Sequence, residues 1–242
     1  MSDSRVRKTG IAITVLGLVG GLLTGAPLLS GPLAAQASTA ADPHLLEVID
    51  IYTGVAGQLD DDRARALLLD VAEDRDDVLA QMWIARVYSR GRMGFERDEA
   101  RARDMAGDLI DDIRALAAAG DVEAIFLMGT AYDEGLGVDV DYAEAVRWYR
   151  RSAAENHVLG AHNLGNTYRD GRGVDIGHAT AVKWWLRAAR AGDATTQLRL
   201  GEAFEAGRGV EQNLDRARYW YGRSAESGNS AAAVALERLS SK

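Results

Sequence analysis

Gly129, Gly165 and Gly201 recur at intervals of 36 residues, and so do Gly135, Gly171 and Gly207. The same interval relates Gly137, Gly173 and Gly209, each followed by a valine (Val138, Val174, Val210), and the aromatic pairs Trp148-Tyr149, Trp184-Trp185 and Trp220-Tyr221. A period between about 20 and 50 residues restricts a chain to architectures in which one supersecondary unit stacks on the next. Such a unit cannot bury its apolar face alone, so the fold must come from stacking.

Within one unit the apolar spacing is helical. Ala161, Leu164, Gly165 and Tyr168 fall at i, i+3, i+4 and i+7, on one helix face. Gly171 and Gly173 can then take the positive φ that ends a helix and opens a tight turn, with Val174 expected to tuck beneath it. A second helix is predicted from about 177, where the three copies supply Asp141, Gly177 and Asn213, residue types suited to an N-cap. Asp141 and Glu144 have the spacing of a capping box. That helix presents Ala181, Trp184, Trp185, Ala188 and Ala189, in which small residues allow close approach and aromatics fill the remaining volume. Composition points the same way: Phe and Ile are scarce while Ala, Leu, Arg and Glu dominate, which favours helix over strand.

The pattern AxxLGxxYxxGxGV, followed by Trp-Trp or Trp-Tyr and then Ala-Ala, resembles the Sel1-like repeat, a subfamily of the tetratricopeptide class, over residues 121–228. The resemblance implies an all-α fold, an α/α solenoid of helical hairpins wound as a right-handed superhelix. Units are expected at about 78–120, 121–156, 157–192 and 193–228, with a degenerate unit at 44–77 and a capping helix at 229–240. Upstream, Ala85, Tyr88 and Gly91 match Gly129, Tyr132 and Gly135 at a spacing of 44. Most of the excess falls after Asp98, so the second helix of that unit is predicted to run from about 98 to 118 and to exceed its counterparts by about two turns. Tyr52 lies 36 residues before Tyr88 and marks the degenerate hairpin.

The first residues read as an address. Arg5, Arg7 and Lys8 precede an uncharged apolar run at 11–23, and Ala35-Gln36-Ala37 supplies small residues where a signal peptidase cuts. Cleavage after Ala37 is expected, leaving a flexible leader at 38–43; an uncleaved anchor is the alternative, with membrane contact only through that segment. With no cysteine in the chain, a lipid anchor, disulfides and thiolate chemistry are excluded. The net charge of −8 argues against nucleic acid, whose phosphates call for clustered Lys and Arg.

Catalytic signatures are missing: no Gly-x-Ser-x-Gly, no Gly-x-x-x-x-Gly-Lys, no His-Glu-x-x-His and no Ser-x-x-Lys occurs. No catalytic residue, metal or cofactor is therefore expected. His157 and His162 are five apart and diverge around a helix, which is poor ligand geometry. Asp60, Asp61 and Asp62 lack the alternation of a calcium loop and suit a helix N-terminus. Trp148, Trp184, Trp185 and Trp220 could form a sugar-binding cage, but their periodicity favours packing.

Stacked hairpins expose first-helix side chains along a concave groove. The stripe beside the buried face reads Met82, Arg86 and Ser89, then Phe126, Thr130 and Asp133, then His162, Asn166 and Arg169, then Leu198, Glu202 and Glu205. These positions vary while the packing positions repeat, as expected of a recognition surface on a fixed framework; Phe126 is the strongest candidate anchor. The family resemblance implies an adaptor or regulator that binds a protein or peptide in the cell envelope, in signalling or exopolysaccharide production. A structural scaffold of a polysaccharide or cell-wall assembly complex, or an envelope hydrolase with an unrecognised site, are the alternatives.

Overall fold

The computed structural model describes residues 41–74 and 76–241, so the expected export segment at 1–37 lies outside the described residues. Regular structure among the described residues is entirely α-helical. α1 (Pro43–Thr53) pairs with α2 (Asp61–Asp74), α3 (Val78–Arg90) with α4 (Glu99–Ala119), α5 (Val122–Glu134) with α6 (Tyr142–Ala154), α7 (Val158–Asp170) with α8 (His178–Arg190), and α9 (Ala194–Ala206) with α10 (Leu214–Glu226); α11 (Ser230–Ser240) packs on α10. First helices also touch first helices, α3 against α5 and α5 against α7, and so form the inner layer. The leader expected at 38–43 is overestimated at its end. Pro43 opens α1, and the Asp42 carboxylate accepts the His44 N–H at 2.7 Å.

Helix starts are set by side chains. Asp77, Asp121, Asp193 and Asn229 each accept the N–H three residues on and begin α3, α5, α9 and α11, while His157 does the same for α7 through Nδ1. Asp98, Asp141 and Asn213 begin α4, α6 and α10; Gly177 begins α8 with no side-chain bond. The capping box expected of Asp141 and Glu144 is only half formed. Asp141 accepts from the Ala143 and Glu144 N–H groups, but its own N–H is already donated to the Tyr132 carbonyl at 2.9 Å, and the Glu144 carboxylate pairs with Arg147 instead. The same backbone bond spans every turn of this kind, from Asp98 to Tyr88, Gly177 to Tyr168 and Asn213 to Phe204.

The glycine at the fifth position of the motif and the second residue of the aromatic pair interlock the two helices of a unit. A Cβ on Gly129 would lie 2.6 Å from the Tyr149 ring, one on Gly165 would lie 2.3 Å from the Trp185 ring, and one on Gly201 would lie 2.4 Å from the Tyr221 ring. Each second aromatic thus lies on a bare patch of helix and is buried there, whereas Trp148 and Trp184 stay half-buried beneath the guanidinium groups of Arg151 and Arg187. Those arginines also reach back one unit: Arg187 donates to the Ala153 carbonyl at 2.9 Å, and Arg151 to the Ala117 carbonyl at 3.5 Å. Carbonyls at a helix end, each already accepting a backbone N–H of its own turn, thus take a further donor from the next repeat.

α4 runs for 21 residues against 13 in α6, α8 and α10, and is unbroken through Gly107. The connection between α1 and α2 reaches the last turn of the array: the Leu59 N–H donates to the Ser227 carbonyl at 2.9 Å, and Gln58 Nε2 to the Glu226 carbonyl at 3.5 Å. The bare α-carbons of Gly54 and Gly192 allow this approach, since a Cβ on Gly54 would meet that of Ala194 at 3.1 Å and one on Gly192 would meet Val55 at 3.4 Å. First and last units therefore touch across the concave face.

Candidate functional site

The twelve residues of the proposed recognition stripe separate into three groups, with Ser89 apart from them. Met82, Phe126 and Thr130 are fully buried. Phe126 in particular is not an exposed anchor: its ring packs against Trp83 at 5.9 Å, Tyr149 at 6.1 Å and His157 at 4.7 Å. The helix is rotated relative to the position that sequence periodicity suggests, because α5 is packed on α3, α4, α6 and α7 and has little free face left. Apolarity then selects the innermost sites.

Arg86, Asp133, His162, Asn166 and Arg169 do come together, lining a polar cavity of about 510 Å³ that Tyr52, Leu59 and Gly228 also line. Leu198, Glu202 and Glu205 line a second, larger cavity of about 730 Å³ with Ala231, Ala235 and Arg238 of α11, and Arg169 borders both. Ser89 lines neither; it is buried and donates to the Glu134 carboxylate.

The polar cavity has an ordered ionic floor. Arg172 holds Asp133 at 2.7 Å, Arg90 holds Glu134 at 2.8 Å and approaches Asp133 at 3.6 Å, and the buried Tyr149 hydroxyl donates to Asp133 at 3.4 Å. Burial pushes the Asp133 carboxyl above the usual carboxylate range, with Glu134 adding to the effect and Arg172 and Arg90 opposing it. The Tyr149 hydroxyl is raised well above its ordinary value, by burial first and then by the two carboxylates. On the α7 side, Arg169 forms a two-pronged pair with Asp170 at 2.6 and 2.7 Å, and that hydrogen bond holds the Asp170 carboxyl below its ordinary value. His162 Nδ1 meets Thr196 Oγ1 at 2.5 Å and Asp193 at 3.2 Å, and Asn166 bridges His162 Nε2 at 2.9 Å and Trp185 Nε1 at 3.3 Å.

In the second cavity the Tyr221 hydroxyl donates to Glu205 at 2.8 Å, while Arg238 clamps the same carboxylate with two bonds of 2.6 Å. The polar tips of Tyr149, Trp185 and Tyr221 thus all emerge on the concave side. Their rings seal the hairpin and their hydrogen-bonding atoms orient groove residues.

Arg90, Arg92, Asn163, Arg172 and Arg199 also line the polar cavity and were not on the stripe. A signal for Arg172 exists: the residue between the two turn glycines is Leu136, Arg172 or Arg208, so it varies inside an otherwise fixed motif. Asn163 adjoins His162 and needed only a wider helix face. Among the described residues no group of His, Asp and Glu is arranged to hold a metal ion, and no helix is long and apolar enough to cross a membrane.

Fold and site together define a helical-hairpin solenoid with a specialised inner surface. The Sel1 repeat model matches residues 78–106, 122–157, 158–193 and 194–229, more than half of the chain, and the protein belongs to that family. The first match stops at residue 106, inside the long α4. A crystal structure of a Sel1 repeat protein from Oxalobacter formigenes aligns with a TM-score of 0.53 at 29% identity, covering 74% of this chain and 50% of that one. A protective antigen present in uropathogenic Escherichia coli strains, displaying an SLR fold, aligns with a TM-score of 0.54 at 25% identity, covering 81% of this chain and 48% of that one. The chain therefore spans about half the length of these relatives. Among curated proteins, none matches. The family generally serves protein–protein interaction.

Proposed function

We propose that the chain is an exported adaptor that binds a protein partner in the cell envelope through the larger cavity between α7, α9 and α11. The observation that carries this reading is the composition of that surface: Leu198, Ala203, Ala231 and Ala235 supply apolar floor, and Arg169, Glu202 and Arg238 supply a charged rim. An apolar centre with a polar edge is the usual anatomy of an interface. Membership of a family of interaction scaffolds supports it, as does the varied polar lining on a repeated framework.

A photo-crosslinking residue in place of Leu198 is expected to capture one partner in stoichiometric yield from intact envelopes, while the same residue in place of the exposed Val234, outside the cavity, captures none. Equal capture at both positions, or none at Leu198, removes the assignment. Export rests on the order of basic residues, apolar run and Ala35-Gln36-Ala37. The mature chain is expected to begin at Ser38 on N-terminal sequencing; a Met1 or Ser2 terminus in the membrane fraction means an anchor instead.

A further inference from the structure

The polar cavity holds one cation too many. Arg90 is matched by Glu134, Arg172 by Asp133 and Arg169 by Asp170. Arg199 pairs with Glu202, which lies outside this cavity, the charge of Arg92 acts on Asp61, and the remaining lining carboxylate, Asp193, is held by His162 and the Thr196 N–H. Arg86 is different. It is 9% exposed, its Nε has no hydrogen-bond partner, and its guanidinium makes no ion pair among the described residues. Its neighbours are the faces of Trp83 and Phe126, whose centroids lie 4.5 and 5.2 Å from the guanidinium carbon. Two rings fix the plane of the group and attract its charge, but they satisfy none of its N–H donors. A buried, unpaired charge is costly, and its persistence in a cavity wall calls for an anion in that cavity.

We propose that this cavity binds a small monocarboxylate with a polar body, its carboxylate taken by Arg86. The guanidinium fork matches a carboxylate with two parallel hydrogen bonds. A single negative charge is specified because six arginines line the cavity against five carboxylates, Asp61, Asp133, Glu134, Asp170 and Asp193; a second would face Asp133 and Glu134 with nothing to offset it. The polar body is specified by Asn163, which lines the cavity and makes no side-chain hydrogen bond among the described residues, and by the neighbouring His162 and Asn166. Size agrees: about 510 Å³ lies within the range of small-molecule sites, roughly 300–1,000 Å³. The wall formed by Leu59 and Gly228 exists because the α1–α2 connection reaches the final turn, so the site needs both ends of the array.

Isothermal titration of the purified full chain tests this with glucuronate, glucose, the tripeptide Ala-Ser-Ala, its C-terminal amide and inorganic phosphate. Glucuronate or the free tripeptide is expected to bind in the micromolar to low millimolar range, while glucose and the amide do not. Binding by glucuronate alone assigns the site to a free acid, and by the tripeptide alone to a chain end. Arg86→Gln is expected to weaken binding by roughly tenfold or more, and Arg86→Lys to recover only part of it because the fork is lost. Asn163→Leu, which removes no existing hydrogen bond, is expected to weaken binding with an unchanged melting curve and keeps the test open should Arg86→Gln fail to fold. The proposal is overturned if neither acid binds, if phosphate binds more tightly than both, or if the folded variants bind as the parent does. None of these results depends on a protein partner, so the crosslinking experiment stands or fails separately.

Discussion

Gly173→Ala is expected to be among the most destabilising single-methyl changes available in this protein, and larger in effect than Gly171→Ala two residues away in the same turn. Both glycines hold positive φ, +69° and +68°, so an L side chain at either position costs about 1–2 kcal/mol of backbone strain. The difference lies in what the new Cβ meets. At Gly171 it lies 2.7 Å from Cγ1 of Ile176, an exposed side chain that can rotate away. At Gly173 it lies 2.2 Å from the backbone carbonyl oxygen of Tyr142, at the start of the preceding unit's second helix, and no rotamer relieves that contact. The units must separate, adding the roughly 1–3 kcal/mol or more of an overpacked site. The expected total for Gly173→Ala is about 2–5 kcal/mol, read as a drop in urea midpoint. Equal midpoints for the two variants remove the account of the second glycine as the spacer between units.

The second large effect belongs to the glycine and aromatic that lock each hairpin. Trp185→Ala removes a buried ring and is expected to cost about 3–5 kcal/mol. Gly165→Ala places a methyl 2.3 Å from that ring and is expected to cost about 1–3 kcal/mol by overpacking. Combining them should be milder than adding them, because the alanine methyl then occupies part of the space the indole has left. Chemical denaturation of the four proteins gives the coupling directly. A strictly additive cycle means that the two residues do not share one packing site, contrary to the geometry.

Much of the fold was legible because repetition multiplies weak signals. A single Gly-x-Gly-Val is worth little, but three in register fixed the hairpin, the turn and the second-helix starts at Asp141, Gly177 and Asn213. The long α4 followed from the altered spacing alone. Repetition helped least where one helix face had to be divided between core and groove. Phe126 and Arg169 stand in the same stripe, yet one is the centre of an aromatic stack and the other borders two cavities. A period of 3.6 residues gives a direction from the helix axis, not the depth at which the neighbouring helix begins.

The sequence by itself determined the α-hairpin unit, its number of copies, the glycine turns and the absence of cysteine chemistry, because these depend on local conformation and residue inventory. Tertiary structure decided what the inner surface is. It placed Arg86 against two rings without a counter-ion among the described residues, matched its neighbouring arginines with Asp133, Glu134 and Asp170, and brought Leu59 to Ser227 across 168 residues. Those outcomes depend on the small rotation between successive units, accumulated over the whole array. No single repeat encodes that sum, because it is set by how each pair of faces packs.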